Sequence, residues 1–301
     1  MPHVHANGID IAYESFGRVT DPVLLLIHGL ATPRTGWPDS LCAGLVRRGF
    51  RVVRFDNRDI GRSTVFTQLG IPDIGAMMAT LQSGGEPRPP YPLDAMAADA
   101  AGLMDALAIP RAHIAGASMG GMIAQLVALN HPEKTESLIS IMSSTGRPRL
   151  PPAKPEAMRA LLAMPASPGR ADRLATAVAA VKAISGHGFP QTDEELAAYL
   201  GRSIDATPYD PPAAARHMAA VIAAAPRHER LNGLDLPALV IHGSDDPIRP
   251  PAHGEDTANS IPGAELLVVP GMGHDFKEAL MPVWVEAIGD FAEKAEARKM
   301  V

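Results

Sequence analysis

Val23-Leu-Leu-Leu-Ile27 is a run of five apolar residues, too short for a helix and without a polar face in any extended conformation. Successive strand residues point to opposite faces, so such a run needs cover on both sides, as in a parallel sheet between layers of helices. The same requirement recurs along the chain. Phe50–Phe55, His113–Ala115, Ser137–Met142, Leu236–Ile241 and Ala264–Val269 read as further strands. Helical patterns separate them at Ser40–Arg48, Met96–Leu107 and Met119–Asn130, and another follows at Val283–Ala297. In the second of these, Met96, Ala100, Leu103, Met104 and Leu107 share one stripe. Alternation of this kind demands βαβ crossovers, and hence a mainly parallel sheet with helices on both faces. Only the start departs from it. Asn7-Gly8, between Val4–Ala6 and Ile9–Tyr13, predicts a hairpin.

The alternation stops at Gly146. Residues 146–230 carry no strand pattern and predict four alanine-rich helices, near 153–164, 170–185, 192–205 and 211–225, separated by Pro and Gly. The expected organisation is one α/β core, residues 1–145 and 231–301, interrupted by a helical cap or lid over 146–230. Val65–Pro92 is long for a loop. It predicts a short helix around Met77-Met78, near a pocket mouth.

Bulk composition narrows the chemistry. The chain has 27 Lys and Arg against 33 Asp and Glu, a net charge of −6, which argues against nucleic acid or an anionic membrane as partner. Cys42 is the single cysteine, so no internal disulfide forms; its setting predicts a buried helix interior. The apolar runs fall far short of the ~20 residues that span a bilayer, and the N-terminus has no signal-peptide pattern. A cytoplasmic protein, monomeric or homodimeric, is expected.

Gly116-Ala-Ser-Met-Gly120 follows a strand and opens a helix, the setting in which G-x-S-x-G exposes a nucleophile. Gly116 and Gly120 leave room for the sharp turn, and Gly121 for close packing of helix on sheet. A serine hydroxyl needs a base, and the base an orienting acid, expected in the order Ser, Asp, His beyond later strands. His242-Gly-Ser-Asp-Asp246 supplies Asp245 or Asp246 after one strand, and Gly271-Met-Gly-His274 supplies His274 after the next. His253, at a helix start, is expected to be solvated. The oxyanion requires two amide donors. One is expected at Met119 and the other in His28–Leu30, at Leu30, with His28 fixing that loop. Metal chemistry finds little support: H-E-x-x-H is absent, and Asp56-Asn-Arg-Asp59 reads as a turn network. No cofactor or metal is expected.

With these residues assembled, the chain resembles the α/β-hydrolase superfamily over nearly its whole length. The matching motifs are His28-Gly29, Asp56–Ser63 (similar to D-x-R-G-x-G-x-S), the Ser118 turn, His242-Gly-x-x-Asp246 and Gly271-x-Gly-His274. In that family the acid stands three residues after the His-Gly glycine and four before a proline; Gly243 and Pro250 frame Asp246, not Asp245. Asp59 stands where a glycine is usual, a departure expected to affect a loop and to leave the triad intact. Gly36–Asp39, Arg54–Thr64 and Asp246–Gly254 further resemble the branch containing the aclacinomycin methylesterase. The resemblance implies a serine carboxylesterase acting on a small-molecule ester through Ser118, His274 and Asp246. His28, Met158, Leu161, Met164 and Met218 are the expected pocket residues. The alternatives are another hydrolase on the same residues (aminopeptidase, thioesterase or carbon–carbon hydrolase), a cofactor-free perhydrolase or haloperoxidase, and a non-catalytic ligand-binding receptor. Epoxide hydrolases and dehalogenases fit worse, because they need a carboxylate at position 118.

Overall fold

The computed structural model describes residues 2–298. Its centre is an eight-stranded sheet in the order β1-β2-β4-β3-β5-β6-β7-β8. The strands are β1 (His3–Ala6), β2 (Ile9–Phe16), β3 (Val23–Ile27), β4 (Arg51–Phe55), β5 (Ala112–Ala117), β6 (Thr135–Ile141), β7 (Ala238–Gly243) and β8 (Glu265–Val269). β1 and β2 form the antiparallel hairpin predicted around Asn7-Gly8, and β2 pairs antiparallel with β4. Every other pairing is parallel. The Val23–Ile27 run is buried throughout. Leu24 and Leu26 face one layer, with Trp37, Leu41, Leu45, Trp284 and Ile288, while Leu25 and Ile27 face the other, with Met96, Leu103, Met122 and Ile123.

The helices of the two layers are α1 (Asp39–Arg47) and, at the far end of the chain, Met281–Ala297 on one face, with Leu93–Ala106 and Met119–Asn130 on the other. In chain order Ile74–Gln82 is α2, and these three are α11, α3 and α4. Cys42 lies buried in α1, where burial pushes its thiol up to about 11. Between β6 and β7 the chain forms α5 (Pro155–Leu161), α6 (Arg170–Ile184), α7 (Asp193–Ala206), α8 (Pro211–Ile222) and α9 (His228–Leu231), with no strand. Their starts follow local rules: α5 and α8 open with proline, and Thr192 and Glu195 form a capping box on α7. The predicted helix around Met77 is α2; it packs against α8. α10 (Ala252–Ser260) completes the set.

Sheet order runs outward in both directions from β3, to β4 on one side and β5 on the other. Reversal of this kind opens a crevice beyond the carboxyl ends of the two strands. The loops after β3, β5, β7 and β8 therefore converge at one end of the sheet.

Candidate active site

Ser118 lies immediately beyond β5 and caps α4 with φ 57° and ψ −120°, far from the helical and extended basins. Space around it is tight. A Cβ on Gly116 would lie 2.0 Å from the Gly120 carbonyl oxygen, and one on Gly120 would lie 2.0 Å from that of Ile27. Backbone bonds hold the turn: the Ser118 N–H donates to Ile141 O at 2.9 Å, and Ser143 Oγ donates to Ser118 O at 2.8 Å.

The loops after β7 and β8 bring two partners to the serine. His274 Nε2 lies 2.9 Å from Ser118 Oγ, and His274 Nδ1 lies 2.7 Å from Asp246 Oδ2. An ionised carboxylate only accepts, so Nδ1 carries the proton, and Nε2 is left to accept from the serine hydroxyl. Asp246 Oδ1 accepts from the amides of Ile248 and Arg249 at 2.8 and 2.7 Å. Burial alone would raise the Asp246 carboxyl; the facing His274 and the Arg249 amide outweigh it and hold the group below the usual carboxylate value. Asp245 turns the other way, toward the backbone and ring of His187.

The two amides expected to serve the oxyanion belong to Met119 and Leu30, in the segments that follow β5 and β3. Met119 opens α4, and the first amides of a helix have no intrahelical acceptor. In the loop after β3, the Gly29 N–H donates to His28 Nδ1 at 2.7 Å and the Ala31 N–H to His217 Nδ1 at 3.3 Å. The Leu30 amide lies between these two. His28 itself is buried, stacks on Phe276 at 4.7 Å, and is pulled down to about 3 by burial. It is neutral, and it does not contact Ser118 as a base would.

A cavity of about 180 Å³ opens over Ser118, lined by His28, Leu30, Leu161, Ile184, Leu200, His274 and Phe276, among others. A larger one of about 390 Å³ adjoins it, shares Thr32 and Leu200, and includes Ile60, Met164 and Tyr209. Of the residues expected in the pocket, His28 and Leu161 line the first cavity and Met164 the second. Met158 and Met218 line neither. On α5 the packed stripe runs through Ala157 and Leu161 against Ile184 and Ile248, one position round from Met158. On α8 the buried residues are Ala213, Arg216, His217, Ala219 and Ala220, and Met218 is only partly buried.

Two further expectations need correction. His253 is not solvated: it is buried, with Nδ1 2.8 Å from Ser144 Oγ and Nε2 2.9 Å from Pro151 O. The Asp59 departure reaches beyond its own loop. Asp59 accepts two bonds from Arg216 of α8, at 2.8 and 2.7 Å, and others from the Tyr91 hydroxyl and the Phe66 amide. The helix α2 packs on α8, whose Pro211 and Ala214 line the larger cavity together with Val65. Asp56 is taken up by Arg34, and no group of three metal-binding side chains occurs among the described residues.

A family model described as the alpha/beta hydrolase fold matches residues 22–278. The chain belongs to the α/β-hydrolase family. Among its relatives is the rhodomycin D methylesterase DnrP of Streptomyces peucetius, 29% identical over 87% of each chain. Another is the 3-oxoadipate enol-lactonase 2 of Acinetobacter baylyi, 23% identical over 88% of this chain and 86% of that one. The crystal structure of the enol-lactonase from Burkholderia xenovorans LB400 superposes with a TM-score of 0.71, covering 97% of this chain and all of that one at 23% identity, which shows a shared fold. The family and its methylesterase relatives support an ester hydrolase. No helix among the described residues is long and apolar enough to cross a membrane.

Proposed function

We propose that the chain is a serine carboxylic-ester hydrolase working through an acyl-enzyme. The observation that carries this reading is the continuous chain of contacts from Ser118 Oγ through His274 to Asp246. In the first half-reaction, Ser118 Oγ attacks the ester carbonyl while His274 Nε2 takes the hydroxyl proton. The carbonyl π electrons move to oxygen, giving a tetrahedral oxyanion that accepts from the Leu30 and Met119 amides. Collapse breaks the bond to the alcohol oxygen, which leaves with the proton from His274. Water then attacks the acyl carbon with His274 again as base; the bond to Ser118 Oγ breaks, that oxygen regains a proton from His274, and the acid departs. Asp246 holds the imidazole in the required tautomer and offsets the charge that develops on it. The helices α5–α8 form the lid of the pocket, and a small-molecule ester is the substrate. No step requires a metal or cofactor.

The test is turnover on a panel of esters that vary separately in acyl and alcohol size. Ser118→Ala is expected to lower kcat by roughly 10⁴-fold or more. A Ser118→Ala protein that keeps a tenth of the rate would exclude the mechanism.

A further inference from the structure

His217, on α8, belongs to the helical insertion, yet it reaches the loop after β3. It is fully buried, with Nε2 2.8 Å from the Arg58 carbonyl oxygen and Nδ1 3.3 Å from the Ala31 amide nitrogen. These neighbours fix the tautomer. A carbonyl only accepts, so Nε2 carries the proton; an amide only donates, so Nδ1 offers its lone pair. Burial pulls the ring down to about 4, which keeps it neutral, as both contacts require.

The residue it holds is strained. Ala31 has φ 53°, in the left-handed region that side-chain-bearing residues rarely adopt. Its neighbour Leu30 carries the amide assigned to the oxyanion; that N–H lies in the Gly29–Leu30 peptide plane and the Ala31 N–H in the next, so a fixed Ala31 plane limits how far Leu30 can turn. His28 anchors Gly29 before it, and His217 anchors Ala31 after it. α8 in turn is fixed in place by the adjacent Arg216, paired with Asp59 and bonded through Nη1 to Gly70 O at 2.9 Å.

We propose that His217 is a positioning residue: from the insertion, it holds Ala31 in its left-handed conformation and so aims the Leu30 amide at the oxyanion. The inference rests on the ester-hydrolase reading above. It makes the seating of α8 a condition for full catalytic rate.

Two near-isosteric variants separate positioning from packing. His217→Asn places Oδ1 where Nδ1 stood and keeps an acceptor for Ala31. His217→Gln keeps an N–H for Arg58 O but leaves the Ala31 amide unpaired. With kcat, KM and thermal midpoint measured for both and for His217→Ala, His217→Gln and His217→Ala are expected to lose roughly 10- to 100-fold in kcat. KM should change less than about threefold, since an oxyanion contact acts mainly in the transition state. His217→Asn should recover most of kcat even if its midpoint falls as far as that of His217→Gln. Affinity for a boronic acid, whose tetrahedral serine adduct fills the same hole, should fall in step with kcat. Adding Ala31→Gly to His217→Ala should restore part of the rate, because glycine adopts positive φ unaided. Equal kcat losses in the Asn and Gln variants, or lowered midpoints with kcat intact in His217→Gln and His217→Ala, would overturn the proposal. Ser118→Ala in the same assay separates the two levels. Turnover surviving there sinks the ester-hydrolase reading and this inference with it; turnover lost there but retained in His217→Gln sinks this inference alone.

Discussion

Ser118 presents its hydroxyl to the cavity because the backbone beneath it occupies a region that the neighbouring glycines make sterically accessible. Gly116 is the most constrained of these neighbours, since an added methyl would meet the Gly120 carbonyl at 2.0 Å and the Gly121 nitrogen at 2.8 Å. Both obstacles are backbone, fixed by sheet and helix, and neither can swing aside. Gly116→Ala is therefore expected to destabilise the protein by about 3 kcal/mol, at the upper end for overpacking. Gly233→Ala, where the nearest atom lies at 3.5 Å, should change stability by less than about 1 kcal/mol. Chemical denaturation of both variants checks this, and equal effects would mean the turn can relax. Ser118, Asp246 and His274 are legible in the sequence because each stands directly beyond a strand whose pattern is local. His253 and His217 are not. Their burial depends on segments about 100 and 160 to 190 residues away, and no window around either residue carries that information.

At the scale of elements, the insertion is docked at two places, each beside a loop of the candidate site. The end of α6 and the segment after it pack on the loop that carries His274: the His274 N–H donates to Ile184 O at 2.8 Å, and Lys277 Nζ donates to Gly186 O at 2.6 Å. On the other side, α8 docks on the loop after β4 through Arg216 and Asp59. Burial alone would raise the Asp59 carboxyl, but the bonds from Arg216, Tyr91 and the Phe66 amide hold it ionised, below its usual value. Asp59→Asn preserves size but leaves a fully buried guanidinium facing a neutral amide; its remaining carboxylate, Asp210, is 3.8 Å away. Removing one partner of a buried pair destabilises by about 3–5 kcal/mol. Asp59→Asn should therefore lower the thermal midpoint by roughly 5–15 °C. An unchanged midpoint would mean that α8 is held by its apolar contacts alone. The helices α5–α8 are legible from alanine-rich runs bounded by Pro and Gly, whereas the short α9 has no such run. Which face each turns inward is not legible, because alanine spreads mild apolarity around the whole helix. α8 moreover docks through Arg216 and His217 rather than through its methionine.

Across the whole molecule, several histidines are folded into settings that exclude charge, and this ties stability to pH. Burial lowers His28 to about 3 and His217 to about 4, and it lowers His242 and His253 in the same direction. In the unfolded chain each titrates near its ordinary value of about 6.5. Below that pH the unfolded state binds protons that the folded state refuses, so the contribution of these histidines to stability falls as pH drops from about 6.5 toward 4 and is flat above about 7. The carboxylates work at a lower pH. Asp59 and Asp246 are held below their ordinary value, so their contribution is full above about pH 4 and is lost beneath it. For His217 the loss between pH 7.5 and pH 5 is about 2 kcal/mol, the linkage value for a group that stays neutral when folded and protonates near 6.5 when unfolded. His217→Asn removes that proton uptake whatever it does to stability at neutral pH. The variant's unfolding free energy should therefore fall by about 2 kcal/mol less than the wild type's over the same interval. Urea denaturation of both proteins at the two pH values measures the difference, and parallel pH profiles would show that His217 is not held neutral by the fold.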